Sequence, residues 1–287
     1  MDKLFGTTGA LRNWAIASLV ANCALIVTGA VVRLSGSGLG CPTWPKCDQA
    51  YVPKGVDSYH PLIEFGNRLL TFVLIALAIA VLVAAYRTHA SRRVKLLSWY
   101  ALAGLPLQGV VGGITVLTQL NPWVVALHLL LSIWLIVVCT RLVRAIAGSP
   151  VEALPEGLRR LVQLLFWVMM VVIWLGTVVT GAGPHAGDHG AQRNGLEILS
   201  VARLHALFVW VVVGLTLILL VQASRRGFAL TRKYLLVLLG AVLLQGAIGY
   251  AQFFLGVPVG LVALHMVGIA AVTVAVAWLD DGSIVAR

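Results

Sequence analysis

Apolar residues in this chain fall in long, nearly uncharged blocks separated by short polar breaks. Eight blocks match the ~20 residues a helix needs to cross a bilayer, at about 14–34, 61–86, 96–118, 122–140, 161–182, 199–223, 234–255 and 258–279. The pattern predicts an all-α integral membrane protein with eight transmembrane helices. The opening MDKLFGTTGALRNW carries no separate cleavable signal, so the first span is expected to stay in place.

Composition agrees. The chain is 60% hydrophobic and 11% charged, where soluble domains carry about 25% charged residues; its mean hydropathy is +0.96. The net charge of +11 is distributed as topology rather than as a nucleic-acid surface. Lys3, Arg12, Arg87, Arg92, Arg93, Lys95, Arg141, Arg144, Arg159, Arg160, Arg225, Arg226, Arg232, Lys233 and Arg287 fall on one side, fifteen of the 21 basic residues. Arg33, Lys46, Lys54, Arg68, Arg193 and Arg203 fall on the other. The positive-inside rule then places both termini in the cytoplasm.

Two stretches repeat. LQGVVGGITVLTQLNPWVVALH (107–128) is similar to LQGAIGYAQFFLGVPVGLVALH (244–265), with Gln108 and Gln245, and His128 and His265, each 137 residues apart. TGA recurs at 28–30 and 180–182. Each half has four spans, so the repeats run parallel. The expected architecture is two pseudo-two-fold-related four-helix bundles, 1–147 and 148–287, joined by RAIAGSPVEALPEGLRR (144–160).

Polar groups within the spans carry the chemistry. His128, His205 and His265 lie at similar depth, roughly 10 Å below the outer boundary by helical rise. Ionisable side chains in membrane helices mark function by default, although one histidine alone is as readily a packing residue bonded to a carbonyl. Three at one depth favour ligation. His205 and His265 could face each other across the second bundle, and imidazole suits haem iron. Zinc would require further ligands. Arg203 and Arg68 could pair with haem propionates or snorkel to headgroups. Glu64 and Asn67 share one face of the second span.

RLSGSGLGCPTWPKC after the first span, IEFGNR opening the second, ALH in the fourth and eighth and RLHA in the sixth resemble the heme A synthase family. The resemblance covers nearly the whole chain. It implies a membrane enzyme that oxidises the C8 methyl of haem O to the formyl group of haem A, with oxygen from O2 or water. It further implies a haem b held by His205 and His265 in the second half. The substrate haem would lie in the first half, with His128 as a ligand and Glu64 as the acidic residue at the reacting site. Where the family pattern commonly has histidine, this sequence has Asn67, a poor iron ligand. Either the iron keeps an open face, with Asn67 bonding a sixth ligand, or another group such as His60 moves in. Glu64 could stabilise positive charge at the reacting methyl or relay protons. It could instead simply pair with Arg68.

Cys41 and Cys47, outside the cytoplasm, are expected to form a disulfide, as the resemblance also implies; structural and redox roles both remain open. Cys23 and Cys139 read as packing residues. His185, Asp188 and His189 form a thin ligand set for a copper or zinc site. The expected setting is a cell membrane, with haem sites near the outer face. Expected partners are the bilayer, an upstream haem O synthase, an unidentified electron donor and, left open, a homo-oligomer. The competing function is a dihaem electron-transfer cytochrome, which would want an imidazole at 67. A transporter ranks third.

Overall fold

The computed structural model describes residues 2–47 and 59–284, with side chains described for 4–47 and 59–283. Lys54, Arg287 and the Lys3 side chain, used above for topology, lie outside these bounds. The described residues form a short α1 (Asp2–Phe5) and eight long helices. These are α2 (Thr8–Leu34), α3 (His60–Arg87), α4 (Arg92–Leu117), α5 (Pro122–Ala147), α6 (Glu156–Ala182), α7 (Ile198–Arg225), α8 (Ala229–Phe254) and α9 (Val259–Ile284). All eight are long and apolar enough to span a bilayer, where only helices or closed barrels satisfy their own backbone. The chain is an integral membrane protein.

Helix starts are chemically marked. Thr7 and Ser91 accept amide N–H bonds from Ala10 and Val94, and Asn121 caps Trp123 ahead of Pro122 at the first helical position. At the ends that charge assigns outside, boundaries agree with the apolar blocks to within one residue; at the inner ends the helices run on by one to seven residues. Hydropathy ends where the basic residues begin. Arginine and lysine are good helix formers that reach back to water, so the helix continues through them.

Within the first half, α2–α3–α4–α5 close into a ring through neighbouring contacts, and α6–α7–α8–α9 do the same in the second. Between the halves, α5 meets α9, α2 meets α9, and α5 meets α6. Exchanging α2 with α6 and α5 with α9 maps this set of contacts onto itself, as a pseudo-two-fold requires. One continuous core crosses the seam, with Ile26, Ile133 and Val137 packed with Val162, Phe166 and Val276. At the inner end, Arg93 and Arg144 pair with Asp281, and Arg141 with Asp280 at 2.8 Å. Both carboxylates and Arg144 are buried. This knot ties α9 to α4 and α5.

Candidate functional site: a roofed cavity and three imidazoles

A cavity of about 670 Å3 fills the outer part of the first bundle, within the size range of sites for large organic ligands. His128, Glu64, Asn67, Arg68 and Gln108 all contribute to its wall. It also extends to Thr177, Thr180, Val262 and Met266 of the second half. Loops form its roof. Gly38 N–H donates to the Gly187 carbonyl at 2.9 Å, joining the outer loops of the two halves. Trp44 and Pro45, inside the Cys41–Cys47 disulfide loop, also line the cavity.

His128 is placed by its neighbours. Gln108 Nε2 donates to the His128 carbonyl at 2.9 Å, and Gln245 Nε2 does the same to His265 at 2.6 Å. The repeat therefore holds at the level of single hydrogen bonds. His128 packs on Gly112, where a Cβ would lie 2.9 Å from ring Cε1. His128 Nδ1 is buried and unbonded, and Nε2 makes no hydrogen bond among the described residues.

Glu64 is buried at 5% exposure and fully engaged. Oε2 accepts the Cys41 N–H at 2.6 Å, while Oε1 takes Arg68 Nε at 3.1 Å and Arg68 Nη2. Arg68 also donates to the carbonyls of Cys41 and Thr43, both at 3.1 Å, and to Lys46 at 3.4 Å. The Glu64–Arg68 pair thus buttresses the disulfide loop that carries Trp44. Pairing with Arg68, one of the roles open to Glu64, is present; it does not remove the carboxylate from the cavity wall.

Asn67 Oδ1 accepts the Thr28 hydroxyl at 2.8 Å, which leaves its NH2 without a partner among the described residues. His60 does not line the cavity: its Nδ1 lies 2.9 Å from Ser37 Oγ and its ring lies tilted against Tyr59. Arg33, which the sequence reading only counted among outer basic residues, does line it. The available signal was its position three residues after TGA, where the second half carries His185.

In the second half, His205 is carried by α7 and His265 by α9, which lie across the four-helix ring from each other. His205 Nδ1 donates to the Val172 carbonyl at 3.0 Å, which fixes the tautomer with an Nε2 lone pair free for a metal. His265 Nδ1 is buried without a partner. Every fully buried residue of α7, α8 and α9 lies towards the inner end; none falls within 198–211, 243–254 or 259–269. The second bundle is thus packed most tightly at its inner end, and both imidazoles lie in its outer part. Two imidazoles, one with its Nε2 lone pair free, are a donor set of the kind that suits haem iron. Arg203 is exposed, with Glu197 as its charged neighbour.

Elsewhere, no group of three or more His, Cys, Asp or Glu among the described residues could hold a metal ion. His185 Nε2 donates to the Val257 carbonyl at 3.0 Å, and Asp188 Oδ1 closes a turn onto Gly190 N–H. Cys139 is buried beside Ser18 and Asn22 as a packing residue.

Known proteins give the same direction. A heme A synthase from Lysinibacillus sphaericus is 34% identical over 125 residues, covering 43% of this chain and 40% of that protein. One from Staphylococcus epidermidis is 28% identical over 159 residues, covering 54% and 52%. One from Brucella anthropi is 24% identical, covering 89% and 87%. The chain thus spans 40% and 52% of the length of the first two relatives and 87% of the third. From residue 12 to residue 277, through both bundles and the seam between them, its sequence matches one family throughout, and the chain belongs to the cytochrome oxidase assembly proteins, COX15-CtaA.

Proposed function

We propose that this chain oxidises the C8 methyl group of haem O to the formyl group of haem A, in the first-half cavity. The observation that carries the reading is a single half-buried imidazole, His128, in the wall of a roofed, largely apolar space that also includes the buried Glu64. His128 would ligate the iron of the substrate haem from one side. On the other side Asn67, its oxygen held by Thr28, presents an NH2 donor that can hydrogen-bond a ligand on an otherwise open iron face. A dihaem carrier would need a second strong ligand there, and Asn67 cannot supply one.

Glu64 acts on the methyl carbon. Two successive hydroxylations, each taking one O2, two electrons and two protons and releasing one water, would give a gem-diol, which loses water to leave the aldehyde. A carboxylate in a water-poor site can stabilise positive charge as the methyl is oxidised and then pass a proton from one hydroxyl of the gem-diol to the other, which leaves as water. Arg68 and the Cys41 amide hold that carboxylate at the rim. The donor set of the second bundle suits haem b, with His205 and His265 as its ligands and Arg203 towards the outer rim. Haem b, when bound, supplies one-electron transfer towards the first half. The disulfide loop serves to position Trp44 and Pro45 as roof. The setting is a cell membrane with both termini inside. Haem O arrives from its synthase and electrons from a donor in the same membrane.

The test is pigment extraction from cells making the chain together with a source of haem O. Wild type should accumulate haem A. Glu64→Gln should retain its haem b spectrum yet form no haem A; haem A at wild-type levels in that variant would remove Glu64 from the chemistry.

A further inference from the structure

Arg33 sits in the last turn of α2 with its side chain in the cavity wall. A guanidinium offers five N–H donors and a permanent charge. Among the described residues, Arg33 makes one hydrogen bond, from Nη2 to the Thr180 carbonyl at 3.3 Å, and no ion pair. Arg68, the other arginine of the wall, is different: its donors are taken by Glu64 and by the disulfide loop. The charged group acting on Arg33 is another cation, Arg193, which donates to the Pro184 carbonyl. A half-buried cation in an apolar wall, with a like charge nearby and no carboxylate paired with it among the described residues, is costly until an anion arrives.

We propose that Arg33 is the anchor for a propionate carboxylate of the substrate porphyrin, and that it narrows the ring methyls presented for oxidation to the two beside the propionates. This rests on haem O being the substrate. Its only carboxylates are the two propionates, side by side on one edge of the ring; the farnesyl-bearing substituent lies on the opposite edge. Of the four ring methyls, only C5 and C8 neighbour a propionate. Holding the propionate edge at Arg33 keeps these two at the outer end of the cavity, the end at which Glu64 opens α3. It also directs the isoprenoid inwards along apolar helix walls. The choice between C5 and C8 then depends only on which ring face meets His128. Because Arg33 belongs to α2 and its tether, Thr180, to α6, the anchor is held by both halves.

The experiment uses the full chain in nanodiscs, loaded with haem b, and titrates haem O or its dimethyl ester while following the Soret band. A charge-assisted bond of this kind predicts that wild type binds the diacid about tenfold or more tighter than the diester. Arg33→Gln should erase that difference by weakening the diacid alone, and Arg33→Lys should restore part of it. Equal affinity of wild type for diacid and diester would overturn the proposal. So would an Arg33→Gln loss that is the same for both ligands, since that marks a structural defect. If wild type prefers the diacid but never produces haem A, the anchor stands and the reaction assignment falls.

Discussion

A single missing methyl group shapes the site. His128 can lie against α4 because residue 112 is glycine; an alanine Cβ there would meet ring Cε1 at 2.9 Å, closer than such atoms tolerate. The equivalent distance at Gly249 to His265 is 3.4 Å, and at Gly176 to His205 3.3 Å. Gly112→Ala should therefore tilt the imidazole and slow haem A formation on the order of tenfold or more, since displacements near 1 Å are enough to cost that much. Gly249→Ala, where the contact is ordinary, should leave the haem b spectrum nearly intact. Comparing haem A yield and spectra of the two variants checks the asymmetry; an unaffected yield in Gly112→Ala would mean the ring has room. The histidines themselves were legible in the sequence, because ionisable groups in apolar spans stand out. Gly112 was not, because its meaning lies in which side chain faces it across a helix pair. Asn67 was legible as a departure, but not the Thr28 hydroxyl that orients its amide.

Helix ends show where reading by hydropathy stops and packing takes over. The apolar blocks located all eight spans, and at the outer ends proline, asparagine and loop residues mark the boundary sharply. At the inner ends the helices continue through arginines, so the sequence reading stopped short of the segments that form the Asp280–Asp281 knot. Nothing in LDDGS announces that both carboxylates turn inward, since only tertiary structure brings Arg93, Arg141 and Arg144 to them. Asp281 is 1% exposed and Arg144 3%, and Arg144 also lies 5.3 Å over the Trp278 ring. Removing one partner of a buried pair leaves the other charge uncompensated, at a cost of about 3–5 kcal/mol. Asp281→Ala should thus lower the thermal unfolding midpoint in detergent strongly. Arg160→Ala, which breaks the solvent-exposed pair with Glu156, should cost less than about 1 kcal/mol. Equal midpoints for the two variants would show that the knot is stabilised no better than a surface pair.

At the scale of the whole molecule, duplication has produced two bundles with the same scaffold and different interiors. The glutamines that grip His128 and His265 are equivalent, yet position 67 pairs with a hydroxyl while its counterpart His205 donates to a backbone carbonyl. The first bundle is roofed by loops from both halves; the second carries two imidazoles, on α7 and α9, in its outer part. The continuous core through Ile133, Val137, Phe166 and Val276 stands between these spaces, and the first cavity includes Val262 and Met266 but neither His205 nor His265. Two haem groups in such a molecule should be separable by mutation. His128→Ala should keep the haem b spectrum and lose tight binding of haem O. His265→Ala should lose haem b, still bind haem O in the first cavity, and form no haem A for want of electrons. Reduced-minus-oxidised spectra and a haem O titration on each purified variant measure both properties independently. Loss of the haem b spectrum in His128→Ala would mean that one macrocycle is shared across the seam, and the division of labour between the halves would then fail even if the chain still made haem A.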